Sequence, residues 1–188
     1  HRLLSRLALA ATVVATLAGL LPCASAQPVA ARQERIKSMG QLRVCIWPEY
    51  YGITFRNPKS GELSGIDEVL ATQFARDLGV KVNYIDSSFP NFIGDLLGDR
   101  CDIAMFGVAV LPERAAKVRF SQPYLRSDIW AVTTKTHPSL QGWGDIDKAG
   151  HVVGVQAGTF MEPIMKKALT RAELVSVKAP NTRERELQ

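Results

Sequence analysis

The chain has 188 residues, 46% hydrophobic and 22% charged, with 14 glycines and 10 prolines, a globular composition that excludes disordered, collagen-like and coiled-coil classes. Three cysteines are too few for a scaffold built on disulfides. The net charge of +5 would admit a nucleic-acid partner, but basic residues alternate with acids, as in Arg183-Glu184-Arg185-Glu186, and no basic stripe is left to follow a phosphate backbone.

In chain order, the first 26 residues read as an export signal. Arg2 and Arg6 stand at the start without an acid, residues 7–21 are an apolar run, and Ala24-Ser25-Ala26 is a small-x-small cleavage site. Those are the parts of a cleavable secretory signal, and the run is short of the roughly 20 residues that a spanning helix needs. Cys23 follows Pro22, a poor match to a lipoprotein processing site. Cleavage after Ala26 places the protein in the bacterial periplasm. It also lowers the net charge from +5 to +3, because the signal carries two arginines and no acid. The chain opens on His1 rather than Met, so one or more residues before it are expected.

Residues 27–40 read as a polar leader, and residues 41–47 (QLRVCIW) as a buried strand. Two short strand pieces over 53–66 flank Asn57-Pro58-Lys59-Ser60-Gly61, a hairpin-type turn. A helix opens at Asp67, with Ile66, Leu70, Phe74 and Leu78 recurring every four residues to form a core face, and Gly79 stops it. Residues 80–86 alternate as a strand. Residues 90–98 form a short helix with Phe92, Ile93, Leu96 and Leu97 inward. The continuous apolar run 102–110 predicts a strand covered on both faces. Strand–helix–strand–helix–strand at this spacing means an α/β fold with a parallel sheet and right-handed crossovers.

After a short helix started by Pro112, residues 129–135 predict another strand, and a Pro/Gly-rich stretch follows in which Gly142-Trp143-Gly144 is a turn. A second series comes next: a strand at 152–156, a helix from Thr159 with Met161, Ile164, Met165 and Ala168 on one face, a strand at 174–178, and a helix opening near Asn181. Two parallel strands cannot bury their own faces. The second unit is therefore expected to be unfinished and the chain truncated after Gln188; the first unit should need a return crossing from the missing part, and exposed apolar surface is expected there.

The sequence has no G-x-S-x-G elbow, Walker A loop or G-x-G-x-x-G. His1, His137 and His151 lack partners at ligand spacing, so no metal is expected, and no cofactor is implied. Cys45 and Cys101 fall on different strands, and the spacing leaves both a disulfide and two buried thiols open. Three segments sit at C-terminal ends of parallel strands, where open α/β sheets bind ligands. Trp47-Pro48-Glu49-Tyr50-Tyr51 is an aromatic cluster that either packs the core or lines a cleft. In the segment from Phe106 to Arg114, Gly107 permits close backbone approach, Ala109 follows, and Arg114 projects near the strand end. Its guanidinium either pairs with Glu113 or Glu68 or holds a carboxylate through two parallel hydrogen bonds. The turn through Gly158, Thr159 and Phe160 presents a helix N-terminus to an anion, with Thr159 either capping that helix or touching ligand.

The string LRVCIWPEYYGITFRNPKSGELSGIDEVLATQFARDLGVKVNYID, followed by DIAMFG, PER and FSQPY, resembles the family 3 extracellular solute-binding proteins, the periplasmic receptors of polar amino-acid ABC transporters. The resemblance covers roughly residues 38–188. It implies a type II periplasmic binding protein, in which two α/β lobes close on a ligand like a hinged trap. Residues 41–126 would form lobe one, and residues 127–188 a hinge strand and part of lobe two. It implies further that Arg114 grips the ligand's α-carboxylate, that Tyr50 and Phe89 sandwich its side chain, and that Gly158 and Thr159 add hydrogen bonds. Trp47, Gly107, Ala109 and Phe160 complete the candidate ligand-binding set. Phe106 and Ala109 stand where family members often carry hydroxyls, and the acid that pairs with a ligand ammonium would fall beyond Gln188. Asp67 is read as a helix cap.

The expected function is therefore the periplasmic substrate-binding component of an ABC transporter. It would be a monomer that captures a small amino or organic acid without catalysis and delivers it to an inner-membrane permease. Two alternatives share the scaffold. One is a lyase like the cyclohexadienyl dehydratases, which remove water from prephenate or arogenate, with Arg114 as the grip and Glu49 as the candidate general acid. The other is a ligand-sensing ectodomain.

Overall fold

A computed structural model describes residues 29–185. The export signal and its cleavage site lie outside the described residues. Where a polar leader is expected, the chain forms helix α1 (Val29–Met39). Two arginines a turn apart explain why this stretch docks. The Arg32 guanidinium donates to the Cys101 and Asp102 carbonyls at 3.4 and 3.2 Å, and Arg35 pairs with Asp99 and Asp102.

Strand β1 (Gln41–Ile46) buries Leu42, Val44, Cys45 and Ile46, as a near-continuous apolar run does when a parallel sheet is covered on both faces. It lies between β5 (Lys81–Asp86) and β6 (Ile103–Ala104), parallel to both, with Val44 opposite Tyr84 and Ile103. The predicted strand over 102–110 keeps its ladder for only those two residues of β6, and Phe106 beyond them is fully buried. A disulfide joins Cys45 to Cys101, Cα atoms 5.6 Å apart, settling the open question of the two thiols. Beside it, Asp102 accepts from the Arg43 backbone and guanidinium. Burial alone would raise the Asp102 pKa, but these bonds and the charges of Arg43 and Arg35 outweigh it and hold the carboxyl below its ordinary value.

Between β1 and β5 run β2 (Glu49–Tyr50), β3 (Thr54–Arg56) and β4 (Leu63–Ser64), an antiparallel meander whose last turn spans Asn57 to Gly61. Helix α2 (Ile66–Asp77) then packs on β1, but not by the predicted face. Asp67, Ala71 and Ala75 are buried, while Ile66, Leu70 and Phe74 remain 40–46% exposed. The two alanines let the helix lie close on Val44 and Ile46, which turns the larger side chains to its flank. Helix α3 (Phe92–Leu97) faces Phe92 inward, whereas Leu97, expected inside, is exposed. Helix α4 (Pro112–Ala115) begins at its proline as expected.

Residues 119–134 carry no regular structure, which corrects the strand predicted at 129–135. No strand among the described residues pairs with them, and Trp130 and Val132 stand 78% and 71% exposed. In the second unit, β7 (Val152–Gln156) and β8 (Glu173–Val177) pair in parallel over five residues, and α5 (Met161–Ala168) crosses between them. A single-turn 3-10 helix over Trp143–Asp145 occupies the predicted turn. The segment in which a helix is foreseen near Asn181 runs through turns to a 3-10 residue at Arg185, and its continuation lies outside the described residues. On the predicted face of α5 only Met165 is buried. Ile164, Met165 and Ala168 instead line an apolar cavity of about 270 Å³ with Ile129, Trp143 and Leu169.

Candidate functional site

The loops that leave β1, β5 and β6 meet the turn that leaves β7. From the first unit come four aromatic rings in edge-to-face and tilted contact. Trp47 lies 5.4 Å from Tyr50 and 5.3 Å from Phe89, and Phe89 lies 5.1 Å from Phe106. The burial of Phe106 explains how the chain accommodates a ring where a hydroxyl was expected, since it packs between Phe89 and Phe92 as core.

Gly107 follows with a positive φ of 65°, a Cβ there would lie 3.3 Å from the Tyr50 ring, and its N–H donates to the Asp67 carboxylate at 2.7 Å. Tyr124 donates its hydroxyl to the same carboxylate at 2.7 and 2.8 Å. Asp67 is thus not a helix cap. From the start of α2 it ties together the loop after β6 and the segment leading to the second unit. Burial raises the Asp67 pKa against the two hydrogen bonds that lower it, and burial together with the carboxylate raises Tyr124.

Arg114 is 6% exposed. One guanidinium nitrogen donates to the Ala109 carbonyl at 2.9 Å and the other to the Gly158 carbonyl at 2.7 Å, across the two units. Its plane stands 5.5 Å from the centre of Phe92. Both partners are backbone carbonyls and not Glu113 or Glu68, so the surface-arginine alternative fails. Burial lowers its pKa, against the pull of nearby Glu113.

The turn after β7 is held by its own side chains. Thr159 donates its hydroxyl to the Gln156 carbonyl at 2.7 Å, and the Gly158 N–H donates to Glu162 at 2.7 Å. Glu162 thus meets one of the N–H groups foreseen for an anion. Gly158 has φ of 74°, and a Cβ there would lie 2.8 Å from the Pro90 nitrogen. Only glycine lets the two units approach so closely.

Trp47, Tyr50, Phe89, Gly107, Thr159 and Phe160 line one small cavity of about 10 Å³, joined by Met161 and Arg183. That is room for about one water, so a larger solute requires the two units to separate. Arg114, Ala109 and Gly158 are absent from this lining and meet one another beside it. Arg183 was not foreseen, because a charged residue in a polar, turn-rich segment carries no sequence signal that it faces a cleft. Glu49 pairs with Arg185 at 3.4 Å on the rim. Among the described residues no group of three His, Cys, Asp or Glu side chains could hold a metal.

A parallel α/β unit, a second α/β unit facing its strand ends, and a buried arginine between them define a two-lobed ligand-cleft protein. The profile of the bacterial extracellular solute-binding proteins, family 3, matches residues 42–184, and the chain belongs to that family. It is 32% identical over 157 residues to a cyclohexadienyl dehydratase of Pseudomonas aeruginosa, covering 83% of this chain and 58% of that one. It is 29% identical over 133 residues to an L-cystine-binding protein of Escherichia coli, covering 71% and 49%. The crystal structure of an ancestral amino acid-binding protein, described as a precursor of cyclohexadienyl dehydratase, matches with a TM-score of 0.73 at 31% identity, over 77% of this chain and 64% of that one. The chain thus spans about half to two thirds of the length of these relatives.

Proposed function

We propose that this chain is the capture portion of a periplasmic receptor that holds a small carboxylate-bearing solute between its lobes and delivers it to an inner-membrane ABC permease. The observation that carries this reading is Arg114. A guanidinium buried at the junction of two lobes, with no acidic hydrogen-bond partner among the described residues and two neutral carbonyls on its donors, is a charge waiting for an anion. A solute carboxylate would take the place of the Gly158 carbonyl, and the aromatic rings of Trp47, Tyr50 and Phe89 would cover the rest of the solute. Each lobe would then touch the ligand in the closed form only, which is what drives closure. Several relatives are named as amino-acid-binding proteins, which supports an amino or related organic acid as cargo. No catalytic step is assigned.

A second reading, a carbon–oxygen lyase acting on prephenate or arogenate, is favoured by the likeness to the Pseudomonas dehydratase. Against it, the only acid foreseen for proton transfer, Glu49, is committed to Arg185 and does not line the cavity.

Thermal unfolding of the full protein against the common amino acids, several dicarboxylates and prephenate tests both readings. A ligand at a hundred times its dissociation constant adds about 2.7 kcal/mol, a shift of several degrees. Stabilisation that disappears in Arg114→Gln supports the receptor. A shift that survives in Arg114→Gln removes Arg114 from the site, and loss of prephenate absorbance during incubation establishes the lyase.

A further inference from the structure

Arg183 gives the cleft a second positive charge. The turn that carries it is fixed from below by Gln156, which is 2% exposed. The Gln156 amide donates to the Val177 and Asn181 carbonyls at 2.9 and 3.0 Å, and its oxygen accepts from the Arg183 N–H at 3.2 Å. The backbone of Arg183 is therefore as firmly placed as the end of β7 itself. Its side chain lines the cavity opposite Trp47, Tyr50 and Phe89. Its Nε donates to Glu184 on the exposed side at 2.8 Å, and among the described residues one terminal nitrogen meets the Met161 sulfur at 3.6 Å, a weak acceptor.

The residues lining the cavity include no acid. Glu49 is turned to Arg185, Glu162 to Gly158 and Ser176, and Asp67 to Gly107 and Tyr124. The cavity thus has aromatic walls and the Arg183 guanidinium of lobe two in its lining, with the Arg114 guanidinium of lobe one beside it. We infer that Arg183 selects solutes that carry two carboxylates beside an apolar body, one carboxylate held by Arg114 and the other by Arg183. This rests on the carboxylate-capture reading and adds the ligand's charge to it. Because Arg183 is partly exposed, with 29% of its side chain accessible, its contribution is moderate and sensitive to salt.

The probes are benzylsuccinate and 3-phenylpropanoate, which share a phenylpropanoate frame and differ by one carboxymethyl group, with phenylalanine as the third, each titrated calorimetrically into the full protein. Benzylsuccinate should bind about tenfold more tightly to the native protein, and Arg183→Gln should erase that ratio while leaving 3-phenylpropanoate unchanged. Glu184→Gln, which frees Arg183 from its surface partner, should tighten benzylsuccinate alone. A ratio that persists in Arg183→Gln, or phenylalanine binding more tightly than benzylsuccinate, overturns the inference and leaves carboxylate capture standing. Failure of all three compounds to bind the native protein overturns both.

Discussion

Replacing Gly158 by alanine tests whether the two lobes are held together as described. Two effects add. The residue keeps φ of 74°, and an L-residue in the left-handed region costs about 1–2 kcal/mol. The new methyl would also lie 2.8–2.9 Å from the nitrogen, Cδ and Cγ of Pro90, atoms of backbone and ring that cannot swing aside. The turn must retreat, and the bond from Arg114 to the Gly158 carbonyl at 2.7 Å is lengthened or lost. A hydrogen bond from a charged donor is worth about 1.5–3 kcal/mol, so Gly158→Ala should destabilise by about 3–4 kcal/mol. Gly150 is the control. It has φ of 85° in the same lobe, and a methyl there meets nothing within 4 Å, so Gly150→Ala should show the conformational cost alone. Urea denaturation by linear extrapolation measures both variants. Equal losses in the two would refute the contact between the lobes, because only Gly158 has Pro90 in its way.

Asp67→Ala removes the acceptor of the Gly107 N–H and of the Tyr124 hydroxyl and should cost about 2–3 kcal/mol; a loss under half that in urea would mean that water replaces the carboxylate. The disulfide closes a separation of 56 residues, for which chain entropy gives about 4 kcal/mol, so the double variant Cys45→Ala, Cys101→Ala should fall by that order, and unchanged stability would show the bond to be absent. Hydrogen bonding from Arg35, ahead of that from Arg43, lowers Asp99 from 3.8 to about 2. Because the folded value is the depressed one, this stabilisation is full above pH 3.8 and is lost as pH falls through 2. Asp99→Asn should flatten the acid limb of melting temperature against pH in that window, and an unchanged limb would dismiss the Arg35–Asp99–Arg43 cluster as a source of acid lability.

The strands were legible where burial and pairing coincide. Residues 41–46, 81–86 and 152–156 are apolar or alternating runs with partners on at least one side, and pattern alone finds such strands. The run at 129–135 has the same pattern and no strand, because a ladder needs a neighbour that periodicity does not report. Helix α2 shows a second limit. Counting large apolar residues every fourth position selects Ile66, Leu70 and Phe74, yet the helix buries Asp67, Ala71 and Ala75, since small side chains decide how near a helix can lie to a sheet. The leader was misread for a related reason. Its helix is anchored by Arg32 to the Asp102 backbone carbonyl and by Arg35 to the Asp102 carboxylate, 70 and 67 residues away, and no local property of residues 29–39 announces partners at that distance.

In the site, the aromatic residues and the turn glycines were legible because their chemistry is restrictive. Clustered rings in a loop after a strand have few places to go, and a glycine at a strand-to-helix turn signals either positive φ or a close neighbour. Arg114 could be placed but not oriented, since sequence offers Glu113 and Glu68 as partners and only the fold brings the Gly158 carbonyl to it. Asp67 and Arg183 carry the broader lesson. A carboxylate at the first turn of a helix has a local explanation, capping, that hides its bonds to residues 40 and 57 positions away. An arginine flanked by Glu184 looks solvated although its backbone is pinned to buried Gln156. In both cases the neighbour in sequence masks the neighbour in space. Which charged groups face the cavity therefore follows from their partners in space: among the described residues Glu49, Glu162 and Asp67 are engaged elsewhere, while Arg183 stands in the lining.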